Sequence, residues 1–254
     1  MGVLERIIEQ KRIELPELRR RRLPSPPNVV AIDLKRGNGG TLRILAEIKK
    51  RSPSAGALST ALSVADRAAA YERAGASAIS VLCDSHFFAG TYEDLLAARE
   101  KSELPLLCKE FVIDEVQLDC ARAFGASAAL LIVRCLDEES LNRLHRAALD
   151  RGLLPLVEVA TQAEADLALQ VGATTIGVNA RDLDTLEMHR ERAAAVLHDL
   201  PKHITKLHLS GLASPADVNR IRQGPADGAL VGETLMRQDD PEPLLRSLVE
   251  AACP

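Results

Sequence analysis

The segment FGASAALLIV, residues 124–133, is the clearest fold signal in the sequence. In it, a Gly-Ala pair ends an amphipathic stretch and leads directly into an uninterrupted apolar run, as where a helix is followed by a buried strand. The segments AGASAIS at 74–80 and VGATTIGV at 171–178 repeat this arrangement, and ADGALVG at 226–232 is a weaker copy. Gly75, Gly125 and Gly172 are separated by 50 and 47 residues, and each is suited to end the preceding helix in the left-handed conformation. A period of this length holds two strand–helix units, so the repeat predicts a fold built of four similar quarters.

Eight short apolar runs alternate with amphipathic stretches, and most runs lack the polar alternation of a half-exposed strand. Eight strand–helix units predict an α/β fold, a (β/α)8 TIM barrel, rather than an open doubly wound sheet. The predicted strands are 44–48, 78–82, 104–108, 128–133, 153–157, 175–178, 207–209 and 228–231. The predicted helices are 62–74, 92–101, 114–124, 138–150, 161–171, 188–199, 214–222 and 240–252, with capping candidates at Ser63, Thr91, Asp114, Thr161 and Ser214.

Residues 1–40 precede the first predicted strand. Apolar residues between positions 3 and 15 fall on one helical face, and the arginines at 19–22 with the prolines that follow end that helix. We expect residues 1–254 to form a single domain, with an N-terminal helical extension over 1–40 and the barrel over 41–254. The arginine run is expected to be a solvated helix end.

The composition excludes several classes of protein. Of the 254 residues, 46% are hydrophobic and 27% are charged, which excludes intrinsic disorder, and a net charge of −4 gives no reason to expect a nucleic-acid partner. No apolar run is long enough to cross a membrane, and charges at Glu5, Arg6 and Glu9 argue against a signal peptide, so we expect a cytoplasmic protein. Five cysteines without a C-x-x-C pair indicate neither a disulfide framework nor a metal site.

Polar residues follow the predicted strands at their carboxyl ends, where the active site of a TIM barrel lies. Because unpaired charges inside a barrel are costly, the charged side chains among them must either form ion pairs that cap the barrel or serve catalysis, and we expect catalysis. The candidates are Glu47, Lys49, Lys109, Glu158, Asn179 and Ser210.

Two lysines and two glutamates in one pocket are suited to acid–base chemistry. Mutual repulsion is expected to lower the pKa of a lysine, while each glutamate stays ionised beside a lysine and accepts a proton. A lysine in this position could instead form a Schiff base with a carbonyl substrate, and the sequence alone does not separate the two roles.

Glycines at the ends of the last two strands predict a phosphate site. Gly211 and Gly232 allow backbone N–H groups to approach an anion closely, at the usual phosphate position of such barrels. Glu233 is expected to point its side chain away from the anion. Three of the four phenylalanines, at 87, 88 and 111, follow the second and third strands and predict a wall for a flat apolar group.

The string ILAEIKKRSPSAGAL, residues 44–58, strongly resembles the first-strand motif of the indole-3-glycerol phosphate synthase family of tryptophan biosynthesis. The resemblance covers nearly the whole chain in the same order, including the helix before the barrel. The other matching strings are VLCDSHFFAGTYEDL at 81–95, LCKEFVIDEVQL at 107–118, LVEVAT at 156–161, GVNARDL at 177–183, LSGLAS at 209–214 and VGETLMR at 231–237.

The resemblance implies a lyase that closes an indole ring without a cofactor. Its substrate would be the phosphorylated small molecule 1-(2-carboxyphenylamino)-1-deoxyribulose 5-phosphate, and its products indole-3-glycerol phosphate, carbon dioxide and water. Lys109 would be the general acid and Glu158 the base in dehydration, while Lys49 would lie near the substrate carboxylate or phosphate. The implied substrate-binding residues are Ser52 in a mobile first loop, Phe88 and Phe111 at the aryl ring, Arg181, Leu183, and the phosphate-binding Gly211, Gly232 and Glu233. Monomers or weak homodimers are expected, with no nucleic-acid or membrane partner.

The chain departs from the family pattern at three places: Leu209 replaces the usual glutamate of the seventh strand, Cys108 a common arginine, and Ala180 a common asparagine. Leu209 removes a pocket carboxylate and should face the pocket or its rim. It leaves open a low-turnover paralogue that binds a phosphorylated ligand, and a relative that serves a specialised indole pathway is also open. Phosphoribosylanthranilate isomerisation, which typically needs a cysteine base and an aspartate acid, fits the strand ends less well.

Overall fold

The computed structural model describes residues 2–52 and 56–254 and shows a closed barrel of eight parallel strands. The strand order runs around the barrel in sequence, and β1 pairs with both β2 and β8. The predicted (β/α)8 TIM barrel with an N-terminal helix is therefore confirmed. The strands are β1 Arg43–Ile48, β2 Ala78–Leu82, β3 Leu106–Lys109, β4 Ala128–Ile132, β5 Leu154–Val159, β6 Thr175–Asn179, β7 Thr205–Leu209 and β8 Gly228–Val231.

Helices follow the strands as the periodicity predicts. The N-terminal helix is α1 Val3–Arg20, and the others are α2 Val64–Arg73, α3 Tyr92–Lys101, α4 Glu115–Ala123, α5 Glu138–Asp150, α6 Gln162–Gln170, α7 Arg190–Asp199, α8 Pro215–Arg222, α9 Glu233–Met236 and α10 Glu242–Ala252. The sequence did not predict α9, the short hairpin of Arg51–Ser52 with Gly56–Ala57, or the two 3-10 turns at Asn38–Gly40 and Val133–Cys135. In the ranges that the structure describes, no helix is long and apolar enough to cross a membrane.

Local sequence signals explain where the helices begin and end. All five predicted capping side chains accept a hydrogen bond from a backbone N–H of the first turn of their helix. The repeat glycines Gly75, Gly125 and Gly172 have φ of +89°, +97° and +84°, so each ends its helix in the conformation that glycine adopts without strain.

The core has two parts, one inside the barrel and one between the strands and the surrounding helices. The inner part includes Leu45, Leu107, Leu156 and Leu207, and α1 adds Leu4 and Ile7 to it. Leu15 of the predicted apolar face is only half-buried, whereas Lys11 is buried. α1 therefore lies over one end of the barrel, with a cation on its buried face.

Candidate active site

One cavity of about 430 Å³ opens at the carboxyl ends of the strands. The structure brings all fourteen predicted site residues to its wall. These are Glu47, Lys49, Ser52, Phe88, Lys109, Phe111, Glu158, Asn179, Arg181, Leu183, Ser210, Gly211, Gly232 and Glu233. Residues 53–55, which belong to the expected first loop, lie outside the described residues.

Lys109 and Glu158 form an ion pair in this cavity. The ammonium Nζ of Lys109, at the end of β3, lies 3.3 Å from Oε2 of Glu158 on β5. The other carboxylate oxygen accepts a hydrogen bond of 2.8 Å from Nδ2 of Asn179 on β6. Because Glu158 is almost fully buried, these two contacts satisfy a carboxylate that water hardly reaches.

The expected lowering of a lysine pKa is wrong for Lys109. Burial alone would lower the pKa of its ammonium, but the carboxylates of Glu158 and then Glu47 outweigh burial and raise it. Lys109 is therefore charged at neutral pH and carries a proton that it can donate. The same charge disfavours the neutral amine that Schiff-base chemistry requires.

Glu47 and Lys49 form a second pair on β1 and the residue after it. Their oxygen Oε1 and nitrogen Nζ lie 3.0 Å apart, and the hydroxyl of Tyr71 donates to the backbone oxygen of Glu47 over 3.2 Å. The second carboxylate oxygen of Glu47 is buried and has no hydrogen-bond partner within the described ranges. A buried carboxylate oxygen without a partner is unusual in a folded protein.

The end of β6 connects to α9 through Arg181. The backbone N–H of Arg181 donates to Oδ1 of Asn179 over 3.0 Å, which fixes the side chain that holds Glu158. The guanidinium donates to the backbone oxygen of Leu186 and lies 4.0 Å from the carboxylate of Glu233. Arg181 thus connects the loop after β6 to the one after β8.

The turn after β7 is strained and points its backbone toward the cavity. Ser210 has φ of +70° and is followed by Gly211 at +77°, and strain of this kind in a non-glycine residue is often kept at functional sites. His208 supports the turn: burial lowers its pKa to about 4, and the neutral ring donates from Nε2 to the backbone oxygen of Ser210 over 3.1 Å. In the part of the chain that the structure describes, the N–H groups of Gly211 and Gly232 have no protein acceptor.

Glu233 begins α9 and is held by arginines. Its carboxylate lies 2.8 Å from the guanidinium of Arg237, one turn further along, and this hydrogen bond is the main cause of its lowered pKa. The side chain of Glu233 therefore contacts the arginines, but it still forms part of the cavity wall.

The apolar side of the cavity includes two of the three predicted phenylalanines. The rings of Phe88 and Phe111 lie 5.9 Å apart at 31°, whereas Phe87 packs against His86. Leu209 lines the cavity as expected, and a Cβ on Gly177 would lie only 2.7 Å from its Cδ1, so the glycine leaves the space that Leu209 fills.

The sequence did not indicate that α1 and the inward-facing strand residues line the cavity. Helix periodicity identified the apolar face of α1, but it does not indicate which end of the barrel that face covers. The missed lining residues include Val3, Leu4 and Ile7 of α1, and Leu130, Ile132 and Leu230 of the strands. Among the residues described, no group of three or more His, Cys, Asp or Glu side chains could hold a metal ion.

Comparison with known proteins gives one family. A family model described as indole-3-glycerol phosphate synthase matches residues 4–248. A Streptomyces griseus protein of that name is 41% identical over 260 residues, covering 99% of this chain and 96% of that protein. One from an Exiguobacterium species is 43% identical over 205 residues, covering 81% of each.

Solved structures share the fold at low sequence identity. A 3-hexulose-6-phosphate synthase has a TM-score of 0.65 at 14% identity, covering 83% of this chain and 99% of that one. A thiamine phosphate pyrophosphorylase from Pyrococcus furiosus has a TM-score of 0.62 at 14% identity, covering 84% and 96%. At this identity the likeness shows the barrel alone.

Proposed function

Because the chain belongs to the indole-3-glycerol phosphate synthase family, we propose how the residues of its cavity divide the steps of that reaction. The enzyme is a decarboxylating lyase of tryptophan biosynthesis that acts on a phosphorylated small molecule. It converts 1-(2-carboxyphenylamino)-1-deoxyribulose 5-phosphate into indole-3-glycerol phosphate, carbon dioxide and water.

The substrate lies across the cavity with its two anionic groups at different places. The phosphate binds at the free N–H groups of Gly211 and Gly232, beside the strained turn at Ser210. The aryl ring packs against Phe88 and Phe111, and the carboxylate lies near the ammonium of Lys49. Ser52, Arg181 and Leu183 of the wall complete the binding surface.

Ring closure uses the proton of Lys109. The aryl carbon that bears the carboxylate attacks the ketone carbon, a carbon–carbon bond forms, and the carbonyl oxygen takes the proton of Lys109. The bond to the carboxylate then breaks, carbon dioxide leaves, and its electron pair restores the aromatic ring. The raised pKa of Lys109 supports this role, because the donor is protonated when the substrate binds.

Dehydration uses Glu158. Solvent first returns a proton to Lys109, which donates it to the new hydroxyl as this leaves as water. Glu158 takes a proton from the five-membered ring, and the 3.3 Å contact between the two side chains allows that proton to pass to Lys109. The substrate gains two protons and loses one, so each turnover consumes one proton from solvent, which matches the loss of the carboxylate charge as neutral carbon dioxide. Glu47 keeps the ammonium of Lys49 in position, and Asn179 keeps Glu158 in place.

The single observation that carries these assignments is the pairing of a charged lysine on β3 with a buried carboxylate on β5 in one cavity. The test supplies the carboxyphenylamino substrate and follows the appearance of indole absorbance and fluorescence. We expect turnover in the wild type and a loss of at least about 10²-fold without Lys109. Binding of product and phosphate without turnover would instead support a low-turnover paralogue.

We also propose the setting in which the enzyme works. It folds as one domain, because α1 contributes Leu4 and Ile7 to the core of the barrel. It acts in the cytoplasm as a monomer or weak homodimer and needs no cofactor, because acid–base groups suffice for every step. Light scattering during size-exclusion chromatography measures the oligomeric state, and a stable larger assembly would contradict this proposal.

A further inference from the structure

A buried ion cluster connects α1 to the rim of the barrel and takes no part in the steps above. Nζ of Lys11 lies 2.7 Å from Oδ2 of Asp84, 3.1 Å from Oε1 of Glu110 and 2.8 Å from Oε2 of Glu14. Lys11 and Glu110 are each 2% exposed, and Asp84 is fully buried. Asp84 lies two residues after β2 and Glu110 directly after β3, so one cation on α1 contacts two neighbouring strand ends.

The same two carboxylates hold the backbone that carries the aromatic wall. Oδ1 of Asp84 accepts hydrogen bonds from the backbone N–H groups of Phe87, over 2.6 Å, and of Phe88, over 3.0 Å. Oε1 of Glu110 accepts one from the backbone N–H of Phe111 over 2.7 Å. Each carboxylate therefore bridges the lysine and a phenylalanine backbone.

These bridges have a direct geometric consequence for the cavity. The rings of Phe88 and Phe111 are neighbours at 5.9 Å, and both line the cavity. A shift of either loop would change the spacing of the two rings. Burying the ionisable groups of Lys11, Asp84 and Glu110 together costs free energy. An ion pair that only attached α1 to the barrel would not need to contact both the loop after β2 and the loop after β3.

We propose that Lys11 is a positioning residue for the aryl group of the substrate, because its ion pairs with Asp84 and Glu110 fix the two loops that carry Phe88 and Phe111. The proposal rests on the aryl-binding role proposed above for these two phenylalanines. It assigns α1 a part in specificity that reaches beyond the apolar residues it adds to the cavity wall.

The test replaces Lys11 with methionine, which keeps most of the stem and removes the charge. Three constants are measured: the KM for substrate, and the dissociation constants of indole-3-glycerol phosphate and of inorganic phosphate. We expect KM and the dissociation constant of the aryl ligand to rise by about tenfold or more, which corresponds to about 1.4 kcal/mol. The constant for phosphate should stay within about twofold, a change of only about 0.4 kcal/mol.

Two further variants keep the test decisive if Lys11→Met does not fold. Lys11→Met/Glu110→Gln removes one carboxylate along with the cation and should show the same split, while Lys11→Arg should restore much of the aryl affinity. Lys206→Met is the matched control, because Lys206 is also buried but donates to backbone oxygens of Leu197 and Leu200 outside the cavity. It should lower stability without separating the two ligands.

The proposal is overturned if folded Lys11 variants bind both ligands as the wild type does, or lose both equally. A failure of this proposal can be distinguished from a failure of the proposed function. A wild type without turnover would contradict that function, while direct titration with the product and with phosphate would still test Lys11.

Discussion

Lys109 shows how the surroundings of one side chain select its chemistry. Burial disfavours its charge, yet two nearby carboxylates raise its pKa, which suits it to the role of acid in the proposed reaction. Glu158 is buried behind it and held by Asn179, which keeps the partner of that acid in one orientation. A lysine among apolar groups alone would have the opposite pKa shift and would be suited to covalent chemistry.

We expect Lys109→Met to lower kcat by about 10²–10⁴-fold or more, because methionine keeps the stem but donates no proton. The melting temperature and the affinity for inorganic phosphate should stay close to those of the wild type. Lys50→Met is the control, because Lys50 pairs with Asp94 of α3 rather than with a carboxylate of the cavity. Near-normal turnover of Lys109→Met would move the acid role to Lys49.

Leu209 offers a second test at the residue scale. It lines the cavity at the position where the family resemblance implies a glutamate, and it packs over Gly177. We expect Leu209→Glu to raise kcat, because a carboxylate in the cavity would stabilise the positive charge that develops on the substrate nitrogen during ring closure. Leu209→Gln has the same shape without the charge and should not raise kcat. A fall in kcat for Leu209→Glu in steady-state assays would mean that this cavity is adapted to an apolar residue.

Among the elements, the connection between β8 and α9 brings the proposed phosphate site at Gly232 next to Glu47. A Cβ on Gly232 would lie 2.4 Å from Oε1 of Glu47 and 3.1 Å from its Cβ. The glycine is therefore needed for the position of Glu47 as well as for the approach of an anion. The sequence indicated only that Gly232 allows the approach of an anion, because Glu47 is distant from it in the chain.

We expect Gly232→Ala to lower kcat at least about tenfold, since Glu47 must move away from Lys49, a loss of about 1.4 kcal/mol in transition-state binding. The inhibition constant of inorganic phosphate should change much less. Gly224→Ala is the control, because this glycine lies in the turn after α8, and its added Cβ would be 3.3 Å from the backbone oxygen of Ile221. A variant that raises KM with kcat unchanged would contradict the coupling to Glu47.

The elements also show what the sequence could predict. The Gly-Ala repeats and the caps are local signals, so they identified the strands and most helices, and the common carboxyl end of parallel strands brought the site residues together. α9 has only four residues, too few for a periodic pattern. Lys11 lies between Gln10 and Arg12 in the chain, and only the docked helix places it between Asp84 and Glu110. The pKa of Lys109 likewise depends on Glu158, which is close in space but distant in the sequence.

At the scale of the whole molecule, the cluster around Lys11 makes the stability of the fold depend on pH. Burial, with a further contribution from Asp84, raises the pKa of Glu110 to about 7, against the opposing effects of Lys11 and of the Phe111 N–H. An unfolded glutamate titrates near 4.5, so between these values the folded chain binds more protons than the unfolded one. The free energy of unfolding should therefore fall as the pH rises through this window.

We expect Glu110→Gln to remove this part of the pH dependence, because glutamine does not titrate. The measured quantity is the difference between the free energies of unfolding of the wild type and of the variant. This difference should fall by up to about 3 kcal/mol between pH 5 and pH 8, because each unit of pKa shift corresponds to about 1.4 kcal/mol. Urea unfolding of both proteins at several pH values measures the difference, and Glu103→Gln, at an exposed carboxylate, is the control for surface charge. Lys11 stays protonated throughout this range because its carboxylate partners raise its pKa, so it adds no slope of its own. A difference that is constant with pH would show that Glu110 is ionised in the folded chain at every pH tested. Lys11 would then fully compensate for the free energy of burying the charge of Glu110.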